Sequence, residues 1–116
     1  MKTVPRSTVL LGLSAATFAL CMSTEAAAVD AAAAQSLARQ SNCFKCHAID
    51  KDKEATSWKT LASKIKGEKD IEAKLIKHLT TGPKVKFLDG HEEEHPVIKS
   101  KDPEQIKNVV GWILSM

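Results

Sequence analysis

The chain of 116 residues is poor in aromatic side chains and has no basic block interleaved with them. It contains no tyrosine, two tryptophans and three phenylalanines, so a core built from its own side chains would be thin. Domains of this size bury only about 60–65% of the surface that the unfolded chain exposes. The net charge is only +3, and no basic run is interleaved with aromatic residues, which argues against nucleic-acid binding.

Long hydrophobic runs are also absent. The apolar stretch at positions 9–22 is too short and too interrupted for a comfortable membrane span. It follows Lys2 and Arg6 and precedes three alanines at 26–28, which is the pattern of a secretory signal peptide. We predict a cleaved signal peptide over residues 1–28, one domain over residues 29–116, and export to a bacterial periplasm without stable membrane insertion. Cleavage among residues 31–34 is an alternative.

The cysteines are few, and two of them form a motif. Cys43-Phe44-Lys45-Cys46-His47 reads C-x-x-C-H, the signature of covalent haem attachment. The two thiols lie about one helical turn apart and can reach the two vinyl groups of one porphyrin, and His47 can bind the iron. A redox-active disulfide would need a βαβ context, and a zinc site would need a second ligand pair; neither is visible in the sequence. We therefore predict one covalent haem c, whose apolar bulk completes the core, and a largely unfolded chain without it.

Hydrophobic periodicity predicts an all-α domain of about four helices and no strands. Asp30 can cap a helix to about Gln40, and Ser57 a helix that ends near Gly67. A third helix begins at Asp70 and stops at Gly82-Pro83, and a fourth follows Asp102-Pro103. Residues 83–101 lack helical periodicity but are apolar in part (Val85, Phe87, Leu88, Val97, Ile98), so we expect this loop to pack against the haem.

The mature chain resembles the small bacterial class I cytochromes c over nearly its whole length. The resemblance rests on a short helix leading into the haem motif, on Lys74-Leu75-Ile76 in a helix ending at Gly82, and on a last helix with Trp112. It implies the class I fold, about four helices wrapped around one haem c, in which the first and last helices cross near Trp112. It also implies an electron carrier rather than an enzyme, although such proteins can serve as subunits or partners of oxidoreductases.

The sequence departs from this family at both sides of the iron. The family usually has a proline after the haem motif, whose carbonyl orients the proximal histidine; residues 53–58 contain none. The family usually has Met-Pro before the last helix, but no methionine lies between Met22 and Met116, and the corresponding place reads His95-Pro96. We therefore predict bis-histidine ligation by His47 and His95 and a potential below that of methionine-ligated relatives.

Two other histidines are alternatives to His95. His91 is a rival distal ligand one helical turn earlier; we favour His95 because it takes the Met-Pro position and because proline restricts the residue before it. His91 and His95 also match H-E-x-x-H, but a zinc protease needs both on a stable helix with a third ligand downstream. His78 could bind iron, yet it lies off the stripe of Leu75 and Leu79, and we predict that it is a surface residue.

Six-coordinate iron favours electron transfer with a redox partner protein. Four lysines, Lys45, Lys84, Lys86 and Lys99, are candidates to surround the haem edge and steer an acidic partner. A gas-binding or sensing module, in which His95 leaves the iron, is the alternative function, as is a haem subunit of a redox enzyme. The sequence names neither the partner nor the oligomeric state.

Overall fold

The computed structural model describes residues 27–116, so the predicted signal peptide lies outside the described residues except for its last two positions. The chain forms four α-helices: α1 (Ala31–Gln40), α2 (Trp58–Ile65), α3 (Ile71–Thr81) and α4 (Pro103–Leu114). A turn of 3-10 helix spans Cys43–Lys45, and two strands, β1 (Lys84–Lys86) and β2 (Glu92–Glu94), form an antiparallel hairpin. Within this part of the chain, no helix combines the length and hydrophobicity that crossing a membrane requires.

Helices α1 and α4 pack against each other and join the two ends of the domain. The Asp30 carboxylate caps α1 by accepting a hydrogen bond from the backbone N–H of Ala33. The Asn108 side chain on α4 holds the same residue at two points, since its Oδ1 accepts from the Asp30 backbone N–H and its Nδ2 donates to the Asp30 carbonyl, both at 2.8 Å. Gly111 leaves room for the Val29 side chain, which a Cβ at position 111 would meet at 2.9 Å. The start of the predicted mature domain is therefore fixed to the last helix.

Helices α2 and α3 begin and end where the sequence predicts. Ser57 caps α2 through its hydroxyl, which accepts from the Thr60 backbone N–H. Helix α3 follows Asp70 and ends at Gly82, which has the left-handed φ of +61° that favours glycine at a helix C-terminus. The carbonyl of Leu79, near the end of α3, then accepts the backbone N–H of Ile98 at 2.8 Å. This bond ties the following loop to the helix.

The core is centred on the two tryptophans. Trp58 and Trp112 are buried and meet edge to face with ring centroids 5.0 Å apart. Phe44, from the 3-10 turn, packs on Trp58 in the same way at 4.9 Å. Trp112 of the last helix is thus part of the core, and the haem motif contacts the same core through Phe44.

The loop at residues 83–101 corrects the prediction of a domain without strands. It contains the β1–β2 hairpin, in which Lys84 pairs with Glu94 and Lys86 with Glu92. Each strand has only three residues, too few for period-2 hydrophobicity to stand out in the sequence. Ile98 is buried as expected, whereas Leu88 and Val97 are 55% and 51% exposed.

Candidate functional site

A cavity of about 220 Å³, open to solvent on one side, separates the C-x-x-C-H motif from α3 and the hairpin loop. The walls are mostly apolar and bring together three of the four histidines of the chain. The main contributors are Cys43, Cys46 and His47 from the motif, Leu61 and His78 from α2 and α3, and Val85, Phe87, Leu88, His95 and Pro96 from the loop.

The two cysteines are presented by a tight helical turn. The backbone N–H groups of Cys46 and His47 both donate to the carbonyl of Cys43. Asn42, just before the turn, has a left-handed φ of +61°, which asparagine tolerates better than most residues. Both thiols are free, and burial is the largest cause that raises the pKa of each. The turn places both sulfur atoms at the same wall of the cavity, as attachment to one porphyrin requires.

His47 is oriented from behind by a backbone carbonyl. Its Nδ1 lies 3.1 Å from the carbonyl oxygen of Thr56, and since a carbonyl can only accept, Nδ1 carries the proton. This leaves Nε2 as the nitrogen available to a metal. The ring stacks on Trp58 at 5.2 Å, and burial lowers the pKa of His47. Thr56 therefore does the work of the family's proline carbonyl, from within the stretch that lacks proline.

His95 is oriented in the same way on the opposite side. Its Nδ1 lies 2.9 Å from the carbonyl oxygen of Pro96, so its Nε2 is also free, and burial lowers its pKa. Its backbone N–H donates to the carbonyl of Pro83 at 2.9 Å. Its own carbonyl oxygen approaches Gly82 so closely that a Cβ there would lie 2.9 Å away. The end of α3 thus fixes the position of the His95 backbone.

The distance between the two imidazoles fits a single iron between them. The ring centroids of His47 and His95 are 6.4 Å apart, with 50° between the ring planes. Metal–imidazole bonds are about 2 Å long, so two imidazoles on opposite sides of one metal have their centroids about 6 Å apart. Axial rings can twist about their common axis, so the interplanar angle is compatible with this arrangement. The donors present therefore fit an iron that is already held in a porphyrin.

His91, the rival of His95, does not line the cavity. It lies in the loop of the hairpin, where its Nδ1 bonds Asp89 and its Nε2 lies 3.4 Å from a carboxylate oxygen of Glu93. Its ring stacks on Phe87 at 4.3 Å, and of these two rings only that of Phe87 reaches the cavity. The hairpin separates the two histidines that a helix would place on one face, so the zinc-protease arrangement is not formed. Within residues 27–116, no three His, Cys, Asp or Glu side chains could hold a metal ion on their own.

His78 differs from the surface residue that the sequence predicts. It is half-buried, it lines the cavity, and its ring centroid lies 4.3 Å from that of His95. Its pKa is lowered by burial and by the neighbouring His95 and His47. The signal was present in the sequence, because His78 lies three residues after Leu75 and therefore shares a face with it.

The charges around the attachment motif are mixed. Cys46 Sγ lies 3.7 Å from a carboxylate oxygen of Glu54, and after burial the charges of Glu54 and Glu93 are further causes that raise the pKa of Cys46. Lys86 reaches the cavity, but Lys99 lies elsewhere, with its backbone N–H on the Ser41 hydroxyl. The prediction from the sequence singled out lysines and missed the two carboxylates, because no local pattern brings positions 54 and 93 together.

Comparisons with known proteins agree with this fold and with the attachment motif. The family model for Cytochrome c matches residues 31–116, from the start of α1 to the end of the chain. The crystal structure of Class 1 cytochrome MtoD from Sideroxydans lithotrophicus ES-1 is 61% identical, with a TM-score of 0.72, over 76% of this chain and 97% of that chain. Among proteins with curated annotation, none matches this chain.

More distant structures agree in fold alone. Wild-type cytochrome c552 of Nitrosomonas europaea is 21% identical and has a TM-score of 0.54, over 70% of this chain and 96% of that chain. The N64Del mutant of the same cytochrome matches at 20% identity with the same TM-score. Sequence identities this low carry no information about the ligands of this chain.

Proposed function

Because the chain belongs to the cytochrome c family, we propose that it is an exported electron carrier whose haem iron is bound by His47 and His95. The family itself shows the class I fold and one haem c, attached through Cys43 and Cys46 with His47 as the adjacent histidine. Proteins of this family carry electrons. The distal ligand, the potential, the compartment and the partner are what the proposal adds.

One observation carries the distal ligand. The ring centroids of His47 and His95 are 6.4 Å apart, with 50° between the ring planes. The Nδ1 of each is tied to a backbone carbonyl, so each has Nε2 free to bind a metal. Metal-bound histidines commonly donate their other N–H in this way, which fixes the tautomer and the ring orientation. No other pair of histidines in the described residues combines this distance with this orientation.

The ligand pair supports electron transfer. The haem supplies a one-electron change between ferric and ferrous iron. The backbone bonds to the carbonyls of Thr56 and Pro96 keep both imidazoles in place in the two oxidation states, so little needs to rearrange. The apolar lining from Leu61, Val85 and Phe87 limits the access of water to the iron.

Two features favour a low reduction potential. Histidine in place of methionine removes the ligand that raises the potential in this family. Burial raises the pKa of the Cys46 thiol most, and the nearby charges of Glu54 and Glu93 raise it further, whereas Lys45 lowers it; the two carboxylates place negative charge near the attachment motif. A negative potential favours the more positive oxidation state, so both features stabilise ferric iron.

Export is supported by the amino-terminal pattern and by the start of the domain. Cleavage after residue 28 would keep Val29 against Gly111 and the Asp30 cap on Asn108. Cleavage among residues 31–34 would remove both contacts and the first turn of α1. We therefore place the mature start at or before Val29, and the mature protein in the periplasm.

The partner is another redox protein that approaches the open side of the cavity. Leu88 is 55% exposed there and is accompanied by Lys86, while Glu54 and Glu93 lie close to Cys46. This mixed surface suits brief encounters guided by the charges of both partners, since electrostatic complementarity mainly affects association rates. Electron-transfer rates that fall or rise with ionic strength will give the sign of the partner's charge.

Replacement of His95 by methionine tests the proposal. We expect His95→Met to produce the near-red methionine-to-iron charge-transfer band in the ferric protein and to raise the potential. His91→Ala is the matched control and should leave the spectrum and the potential unchanged. A charge-transfer band of this kind in the wild-type protein would contradict the proposal. Rapid binding of carbon monoxide by the reduced wild-type protein would instead favour the gas-sensing alternative.

A further inference from the structure

A third histidine lies beside the proposed distal ligand. His78 projects from α3 into the cavity, and its ring centroid is 4.3 Å from that of His95, with 56° between the planes. The two rings are therefore in contact, and the space that His95 would vacate on leaving the iron borders directly on the ring of His78. No other imidazole among the described residues is placed in this way, because His91 is held in the hairpin loop by Asp89 and Glu93.

The ring of His78 is also less constrained than those of the two proposed ligands. His47 and His95 each bond a backbone carbonyl through Nδ1. Within residues 27–116, no such bond holds His78, so its ring can turn about its side-chain torsions without losing a partner. The nitrogen atoms of His78 are not among the buried atoms of the described residues that lack a partner, so they are open to the cavity and available to a ligand or metal there.

We propose that His78 is a reserve distal ligand, which binds the iron when His95 leaves it. This rests on the proposed ligation by His47 and His95. In the exchange, the iron–Nε2 bond to His95 breaks and one iron–nitrogen bond to His78 forms. Both imidazoles are neutral before and after the exchange, so neither a proton nor an electron is transferred.

The two histidines belong to different elements of the fold, and this difference determines when the exchange would be useful. His95 belongs to the long loop between α3 and α4, whereas His78 belongs to α3 itself. A partner that displaces the loop would pull His95 away but would leave His78 in place on α3. The iron would then remain six-coordinate and closed to gases, with a helix-borne ligand in place of a loop-borne one.

Four variants of the holoprotein test the inference by the spin state of the ferric iron and by its affinity for added imidazole at neutral pH. They are His95→Ala, His95→Ala with His78→Phe, His95→Ala with His91→Ala, and the single variant His91→Ala. Phenylalanine keeps a ring in the cavity but cannot bind iron. We expect His95→Ala to stay low-spin with altered electron paramagnetic resonance g-values, and the variant that also carries His78→Phe to become high-spin.

The imidazole titration provides a second readout. When an internal ligand occupies the iron, added imidazole can bind only the fraction of molecules in which that position is open. Its apparent affinity is reduced by this fraction. His95→Ala should therefore bind added imidazole at least tenfold more weakly than His95→Ala with His78→Phe. If the phenylalanine variant does not fold, His78→Leu in the same background makes the same comparison.

The outcomes separate the two proposals. High-spin iron and full imidazole affinity in His95→Ala alone would overturn the role of His78. Conversion to high spin by His91→Ala, and not by His78→Phe, in the His95→Ala background would also overturn it. A His95→Ala protein whose spectrum and potential equal those of the wild type would instead refute His95 as the distal ligand.

Discussion

A single methyl group at Gly82 should disturb the distal side of the haem site without replacing a ligand. Gly82 ends α3 with a φ of +61°, and the carbonyl oxygen of His95 lies where a Cβ would approach it to 2.9 Å. Backbone oxygen cannot swing aside as a side chain can. The substitution Gly82→Ala must therefore move the backbone of His95, the end of α3, or both.

The structure provides a control that separates this contact from backbone strain. Gly67 also has a positive φ, +97°, but a Cβ there meets nothing within 4 Å. Left-handed conformations cost alanine about 1–2 kcal/mol relative to glycine, so both Gly67→Ala and Gly82→Ala should lower the free energy of unfolding by that amount. Overpacking costs about 1–3 kcal/mol, and this further loss should appear in Gly82→Ala alone.

Two measurements on the holoproteins check the reasoning. Chemical denaturation gives the free energies of unfolding, and the ferric spectrum with its g-values reports the distal ligand. We expect Gly82→Ala to be the less stable variant and to show altered g-values, whereas Gly67→Ala keeps the wild-type spectrum. If both variants have the same free energy of unfolding and both keep the wild-type spectrum, the His95 carbonyl can move without cost. The contact with Gly82 then does not position the ligand.

Three further predictions concern the frame of the site. Asn108→Ala should lower the free energy of unfolding by about 1–2 kcal/mol in denaturant titrations, because it removes two hydrogen bonds to Asp30. The control Lys107→Ala breaks one exposed ion pair and should lower the free energy of unfolding by less than about 0.5 kcal/mol. The pKa of His91 is raised by its hydrogen bond to Asp89 and by nearby carboxylates. The protonated His91 ring therefore stabilises the hairpin fully below the usual histidine pKa, and this stabilisation is lost as the pH rises through the raised pKa. An NMR titration should show this pKa falling in Asp89→Asn, and an unchanged value would contradict the assignment. Replacement of both haem-attachment cysteines by alanine should leave a chain without a cooperative thermal transition in far-UV circular dichroism, and a native-like melt would refute the need for haem.

The helices could be predicted because their signals are local. Asp30, Ser57 and Asp102 cap helices through their own side chains, and Gly82 ends α3 in the conformation that glycine permits. The C-x-x-C-H motif is equally local, which is why the five residues of the motif are enough to indicate the cofactor. Each of these features depends on residues within about one helical turn of each other.

What the sequence did not reveal depends on contacts between distant positions. The acceptor for His47 is a main-chain oxygen at position 56, and no residue type marks a carbonyl that happens to face a histidine. The place of His78 beside His95 follows from the path of the loop after α3, which the bond from Ile98 to the Leu79 carbonyl helps to fix. The hairpin was missed since three-residue strands have too little periodicity to be read.

The carbonyl acceptors behind His47 and His95 have a consequence for how the site can change. Thr56 and Pro96 contribute main-chain oxygen alone, so exchanging the side chain at position 56 leaves the acceptor where it was. An alanine scan would therefore record Thr56 as neutral, although its oxygen selects the tautomer of the proximal ring. An amide-to-ester replacement weakens this carbonyl as a hydrogen-bond acceptor and would therefore test its role. The tautomers of the His47 and His95 rings are thus set by the course of the main chain, and mutation of the neighbouring side chains can alter them only by moving the backbone.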